Sequence, residues 1–240
     1  DAEALTPNFK IIPGARIFNL KDDFQEKESP YPNTYPTPGQ FEKKCQELGI
    51  NQNSKIVVYD HKGIYTSPRV WWLFQLMGHY NISVLDGGLP EWESAGNKTA
   101  FYQGQEIEVK GNFKANFQPQ KVKHFAAIQQ NILHPSFTLV DARSSGRFLG
   151  VAPEPREDLR SGSIPNSINI PYSSVLEKGK FKSEASLKKV FNELIQTNQP
   201  TVFSCGSGIT ACIILLASEL VYQGEKSVYD GSWTEWAMKT

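Results

Sequence analysis

The stretch Thr201-Val202-Phe203-Ser204-Cys205-Gly206-Ser207-Gly208-Ile209-Thr210-Ala211 sets a cysteine between two apolar runs. Thr201 to Phe203 is short and rich in β-branched and aromatic residues, the composition of a buried strand, whereas Ile209 to Leu220 is long and periodic enough for a helix. Cys205 therefore falls at a strand-to-helix turn. Gly206 and Gly208 admit backbone conformations that bulkier residues resist, so successive N–H groups of the loop can converge on the Cys205 sulfur. Such a nest, followed by a helix N-terminus, favours the thiolate, which is the nucleophilic form. A buried cysteine serving as a small hydrophobe is the alternative, and the loop by itself leaves both readings open.

The elements that must position this loop occur twice. Lys55-Ile-Val-Val-Tyr-Asp60, a turn containing Gly63 and a helix-like Ser67 to His79 are followed by Ile82 to Trp92. Thr201 to Cys205, a turn and a helix are followed by Lys226 to Trp236. Asp86 follows Asp60 by 26 positions and Asp230 follows Cys205 by 25, and in both halves a tryptophan stands six residues beyond the later aspartate. Ile12 to Leu20 and Ile164 to Tyr172 also match. Agreement at several points predicts a duplicated α/β domain, with the polar stretch from Ser94 to Gln120 as its linker. Alignment of the halves sets Asp60 opposite Cys205, so the second half alone offers a nucleophile. Asp141-Ala142 precedes the second Ile-Pro by 23 positions but Asp1-Ala2 precedes the first by only 11. The first half is therefore expected to be incomplete at its N-terminus, by native deletion or by missing residues.

Composition narrows the function classes. The chain has 240 residues, 39% of them hydrophobic, with 25 acidic against 25 basic side chains, as in an ordinary one- or two-domain globular protein. Zero net charge argues against nucleic acid or an acidic membrane as partner. Cys45, Cys205 and Cys212 are too few and too scattered for a disulfide framework or a zinc site, which points to a reducing compartment. No apolar run is long enough to span a bilayer, and the opening residues carry no signal-peptide pattern, although a chain opening on Asp-Ala leaves room for a trimmed targeting segment. His61, His79, His124 and His134 show no metal spacing and read as surface or packing residues.

Across nearly the whole chain these residues resemble the two-domain sulfurtransferases of rhodanese type. The motifs that carry the resemblance are CGSGITA (Cys205 to Ala211), DARSSGRFLG, PEPREDLRSGSIPNSINIPY and YDGSWTEW, with SPRVWW and LDGGLPEW in the first half. The resemblance implies an α/β fold of two tandem rhodanese-like domains, each a mainly parallel sheet flanked by helices. Residues 1–117 would form a domain without a catalytic cysteine, and residues 118–240 the catalytic one. It further implies that Cys205 accepts a sulfur atom as a persulfide and passes it to a thiol or another nucleophile. Members that use 3-mercaptopyruvate have a small uncharged loop, as here, whereas members that use thiosulfate carry basic residues where this chain has Gly206 and Ser207. The expected donor is 3-mercaptopyruvate, released as pyruvate, with thiosulfate as the alternative.

The same resemblance assigns site residues. Arg147 and Arg156 match family arginines that hold the donor's carboxylate and carbonyl, a role suited to an anionic keto acid. Without the resemblance, solvated surface arginines would be the plainer reading. Gly206, Gly208, Ile209 and Thr210 complete the substrate-binding loop, and Ser207 matches a serine given a part in proton transfer, with a simple turn residue as the alternative. Lys21 and Asn33 stand where the family has an aspartate and a histidine, with Asp22 one residue from the first of these positions, a departure that argues against a serine-histidine-aspartate relay. No cofactor and no metal are expected. The expected partners are a small-molecule sulfur donor and a thiol acceptor such as thioredoxin or a low-molecular thiol, with no nucleic acid and no membrane, in cytoplasm or mitochondrion.

Two other functions fit a loop of this kind. A Cys-x5-Arg phosphatase would need arginine at position 211, which is Ala211. A catalytically degenerate sulfur carrier or interaction module stays open. Cys212, two helical turns past Cys205, reads as core. Trp71, Trp72, Trp92 and Trp236 read as packing residues, Trp233 as a wall of the site, and the charged run Asp22 to Glu28 as a solvated loop.

Overall fold

The computed structural model describes residues 9–104 and 107–240, and the chain divides into two compact units. Unit 1 comprises Asp1–Glu28 and Tyr35–Gln118, and unit 2 comprises Pro119–Thr240 with the short stretch Ser29–Thr34. Unit 1 runs β1 (Lys10–Ile11), α1 (Pro38–Glu47), β2 (Ile56–Val58), α2 (Ser67–Leu76), β3 (Ile82–Val84), α3 (Gly88–Ser94) and β4 (Ala100–Phe101). β2 and β3 pair in parallel with Ile56 opposite Ile82, and β1 and β4 pair antiparallel. Helix α1 starts where the Thr37 hydroxyl accepts the Gln40 N–H at 3.2 Å and Pro38 fills the first turn, where its missing N–H costs nothing. The buried face of α1, Phe41 and Cys45, packs into a ring cluster. Phe41 meets Phe24, Phe74 and Phe113 at centroid distances of 5.4, 5.0 and 5.7 Å, mostly edge to face, the arrangement that ring quadrupoles favour. The same burial pushes the Cys45 thiol well up from its ordinary value, so this cysteine is inert core.

That cluster corrects two expectations. The run Asp22 to Glu28 is not wholly solvated, because Phe24 within it is 1% exposed and stacked on Phe18. The polar stretch after α3 is no free linker either. Gly111 N–H donates to Gln46 O, Phe113 N–H to Ile50 O and Asn116 N–H to Met77 O, and Phe113 is fully buried. One aromatic anchor and a line of backbone hydrogen bonds hold the segment, and neither leaves a periodic pattern in the sequence. A cavity of about 850 Å³ in unit 1 runs along β2, but no thiol lines it.

Unit 2 holds the larger sheet. It runs β5 (Val122–Lys123), α4 (Phe125–Leu133), β6 (Thr138–Asp141), α5 (Ser145–Phe148), β7 (Ser167–Asn169), β8 (Leu176–Glu177), β9 (Lys180–Phe181), α6 (Glu184–Val190), α7 (Asn192–Thr197), β10 (Thr201–Ser204), α8 (Ala211–Glu219), β11 (Lys226–Tyr229) and α9 (Ser232–Lys239). The strand order is β5-β11-β10-β6-β7 and every pairing in it is parallel, while β8 and β9 form a separate hairpin. β10 lies centrally and is buried along its whole length, so it reads as a continuous apolar run rather than an alternating one. Val202 packs with Ile128, Leu139, Ile164 and Trp236 in the core. Helix α8 begins at Ala211, two residues later than its apolar pattern, because Gly208 sits at φ +82° and Cys212 and Ile213 make tight i→i−3 bonds to Ile209 and Thr210. Among the described residues no helix is long and apolar enough to cross a membrane.

The two units repeat one another down to single bonds. Leu89 N–H donates to Asp60 O at 3.0 Å, and Trp233 N–H donates to Cys205 O at 2.9 Å. The residues just before, Gly88 and Ser232, both adopt left-handed backbone, at φ +56° and +54°.

Candidate active site

A parallel sheet turns all its strands the same way, so the loops after β6, β7, β10 and β11 gather at one edge, where ligands of open α/β sheets sit. Cys205 stands directly after β10 and is 2% exposed. Its Sγ accepts the Gly208 N–H at 3.1 Å, made possible by the left-handed turn at Gly208. Its own N–H donates to Ser232 Oγ at 3.2 Å, and that hydroxyl donates onward to Tyr229 O at 2.9 Å. Thr234 clamps the next residue, with its N–H and its hydroxyl both donating to Gly206 O, at 3.0 and 2.7 Å. The loop is thus tied to the start of α9, which explains why a serine is tolerated at the strained position 232.

After β6 comes an ionic network. Arg143 is fully buried; its Nε and Nη2 donate to the Asp141 carboxylate, Nη1 to Glu154 Oε1 at 2.7 Å and Nη2 also to Gly162 O at 2.7 Å. Its guanidinium lies 4.4 Å over the Trp233 ring. Glu154, with a side chain 2% exposed, also receives Arg147 through Nε at 3.2 Å and Nη2 at 2.5 Å. Two carboxylates and two guanidinium groups balance, and such a group survives burial only because every charge is paired. Arg147 lies over the loop: a Cβ placed on Gly206 would come within 2.9 Å of Arg147 Nη2. Glycine at 206 is what lets the guanidinium approach so closely.

The positions expected from sequence divide accordingly. Cys205, Gly206, Ser207, Gly208, Ile209 and Thr210 form one loop, and Arg147 is brought to it from α5 rather than from an irregular stretch. Arg156 is exposed in the segment between α5 and β7, and its side chain has no partner among the described residues, which leaves a cation available to an anion. Asn33 belongs with unit 2, and its Nδ2 donates to Ser207 Oγ at 2.9 Å. Cys212 is fully buried, with its thiol on Gly208 O at 3.4 Å, a packing residue as expected. Trp233 is a correction: it is fully buried among Arg143, Arg160 and Gly162, behind the loop rather than lining an open wall. The sequence reading missed Asp141, Arg143, Glu154, Ser232 and Thr234. All five lie in the motifs that carry the family resemblance; for Asp141, Arg143, Ser232 and Thr234 the signal is a charged or hydroxylated residue at or just after the end of an apolar strand, and Glu154 has no such signal.

The Cys205 sulfur, at the carboxyl edge of a parallel sheet within an α/β architecture, takes one loop N–H among the described residues, that of Gly208, where the sequence predicts several. The chain belongs to the rhodanese-like domain family, which it matches over residues 8–95 and 125–239. It is 36% identical to human 3-mercaptopyruvate sulfurtransferase, over 95% of this chain and 77% of that protein. It is also 36% identical to the thiosulfate sulfurtransferase of Gallus gallus, over 94% of this chain and 78% of that one. Among solved structures it is similar to Tum1 of Saccharomyces cerevisiae, with TM-score 0.86 and 30% identity over 100% of this chain and 84% of that one. It is likewise similar to SseA of Escherichia coli, a 3-mercaptopyruvate sulfotransferase, with TM-score 0.82 and 30% identity over 93% and 83%. The chain is a sulfurtransferase.

Proposed function

We propose that the chain moves sulfur from 3-mercaptopyruvate to Cys205 and then to a thiol acceptor. The observation that carries this reading is the loop itself: an enclosed sulfur on the Gly208 amide, flanked by uncharged Gly206 and Ser207, with Arg147 overhead. The Cys205 thiolate attacks the donor's thiol sulfur; an S–S bond forms, the donor's C–S bond breaks, and its electron pair passes into the enolate of pyruvate. The proton carried in on the donor's sulfur is then free to move to the enolate carbon, leaving a persulfide on Cys205 and releasing pyruvate. An acceptor thiolate takes the outer sulfur and returns Cys205 to its starting state. The acceptor is a thiol such as thioredoxin or a low-molecular thiol.

In this reading Arg156, which has no side-chain partner among the described residues, holds the donor's carboxylate, while Arg147, paired with Glu154, offers its remaining N–H edge to the carbonyl. Ser207 serves the departing enolate. Residues 118–240 act as the catalytic domain and residues 1–117 as a non-catalytic one, in cytoplasm or mitochondrion. The experiment is pyruvate release from 3-mercaptopyruvate with a thiol acceptor. Wild type turns over and Cys205→Ser does not, while both melt alike; an active Cys205→Ser variant contradicts the reading.

Thiosulfate is the second donor to measure, because the chicken thiosulfate sulfurtransferase and the human 3-mercaptopyruvate enzyme match this chain at equal identity. Thiosulfate and its leaving sulfite are both dianions and gain from fixed cations beside the thiolate. Gly206→Arg with Ser207→Lys supplies them, and the arginine also pushes Arg147 aside. The double variant shifts the ratio of kcat/KM values toward thiosulfate, about tenfold for each roughly 1.4 kcal/mol of differential transition-state binding. An unchanged ratio in a folded double variant removes the loop as the determinant of donor choice.

A further inference from the structure

We propose that Asn33 is a positioning residue that fixes the direction of the Ser207 hydroxyl, making Ser207 an obligate hydrogen-bond donor to the substrate at every pH. The inference rests on the reading of the Cys205 loop as the reacting site and adds a part of its machinery. Asn33 and Ser207 lie 174 positions apart in sequence, yet Asn33 Nδ2 donates to Ser207 Oγ at 2.9 Å. The contact is built rather than incidental. Asn33 sits at φ +61°, a conformation that asparagine tolerates better than most residues, after Pro30 and Pro32, whose rings fix the backbone before it. The stretch is held further by Tyr31 N–H on Ser29 Oγ at 3.1 Å and by the Tyr31 ring, 5.6 Å from Lys239 Nζ at the end of α9.

Donor counting gives the direction. A serine hydroxyl has one hydrogen and two lone pairs, and an amide nitrogen can only donate. The Asn33 amide takes one lone pair, so the Ser207 hydrogen cannot point back along that bond. Among the described residues no protein group accepts that hydrogen, and Ser207 is only half-buried. The hydrogen is therefore left for what occupies the loop: the oxygen of the enolate as the C–S bond breaks, or an oxygen of departing sulfite. A donor aimed where negative charge develops acts mainly in the transition state and so on kcat. Because the amide does not ionise, the arrangement holds through the whole pH range, unlike one built on a histidine or carboxylate.

The test is Asn33→Asp, nearly isosteric and equally tolerant of φ +61°. Above the carboxyl pKa the new side chain accepts the Ser207 hydrogen and turns it away. The kcat falls about tenfold with KM little changed, and the ratio of variant to wild-type kcat recovers as pH drops through protonation of the carboxyl, which can then donate again. Taking the ratio cancels titrations common to both proteins. Asn33→Ala gives a smaller loss whose ratio is flat with pH. In a Ser207→Ala background the Asn33→Asp ratio returns to within about twofold of unity, which separates hydroxyl orientation from added charge or misfolding. A wild-type kcat in Asn33→Asp, or the same tenfold loss with and without the Ser207 hydroxyl, overturns the proposal. A wild type that uses thiosulfate but not 3-mercaptopyruvate overturns the donor assignment alone; the same cycle is then read with thiosulfate, and additive losses there overturn the role of Asn33.

Discussion

At the end of β2 stands Asp60, and at the matching end of β10 stands Cys205, each at the mouth of a loop that leads into a helix. In unit 1 the loop closes on its own carboxylate. Asp60 Oδ2 accepts the N–H groups of Tyr65, Thr66 and Ser67 at 2.9 to 3.0 Å and the Ser67 hydroxyl at 2.8 Å, while Oδ1 accepts Lys62 N–H at 2.9 Å. Unit 1 thereby gathers its convergent donors on one carboxyl group and ties down the start of α2. In unit 2 the same position carries a thiol, shorter by one atom, and the Gly208 N–H of the loop donates to its sulfur. One backbone plan therefore serves as a helix cap in one half and as a nucleophile's cradle in the other.

The comparison can be broken from either side. The largest effect on stability is expected from Glu154→Ala in unit 2, which takes the carboxylate from Arg147 and leaves the fully buried Arg143 with Asp141 and Gly162 O as partners; removal of one member of such a buried set costs roughly 3–5 kcal/mol. Thermal unfolding checks this, and a melting temperature near wild type would mean that water or another carboxylate replaces Glu154. Asp60→Ala comes next. It leaves the buried Ser67 N–H and the half-buried Tyr65 and Thr66 N–H groups without their acceptor and is expected to cost about 1–3 kcal/mol, seen as a lower denaturant midpoint. If instead the variant is as stable as wild type, the carboxylate is not what organises the loop.

Smaller effects sharpen the chemistry of unit 2. Arg156→Ala is expected to raise KM for 3-mercaptopyruvate with stability unchanged, by the loss of a charge-assisted hydrogen bond worth roughly 1.5–3 kcal/mol. Lysine there restores only part of it, since it cannot present a planar fork. Wild-type KM in the alanine variant would return Arg156 to the solvated surface. Smallest of all is Cys212→Ser, a near-isosteric change at a buried site, which keeps most of the activity; a dead Cys212→Ser variant with an intact fold would give that thiol a chemical role.

What sequence could and could not show follows from range. The strand, turn and helix around Cys205 are local, and so is the repeat of spacings that pairs Asp60 with Cys205; both were legible without coordinates. Cys212 two turns along α8 was legible as core for the same reason. The pairing of Arg147 and Arg143 on one glutamate was not, because Glu154 lies in a proline-rich stretch where nothing periodic marks its direction. Ser232 was hidden because a left-handed serine can be inferred only by comparison with Gly88. The segment after α3 reads as polar linker by composition, yet a single buried phenylalanine, Phe113, and its backbone bonds decide otherwise. Asn33 was named from the family's pattern as a departure, and only the fold shows that its amide meets Ser207.

The central claim is that unit 2 turns the shared loop to use by placing a sulfur nucleophile where unit 1 keeps a carboxylate. Its most direct test is mass analysis of the intact protein, and of its peptides, after exposure to 3-mercaptopyruvate in the absence of an acceptor thiol. The expected result is a gain of one sulfur atom per chain, mapped to Cys205, absent in Cys205→Ser and discharged on addition of a thiol. A sulfur retained in Cys205→Ser, or mapped to Cys45 or Cys212, would contradict it.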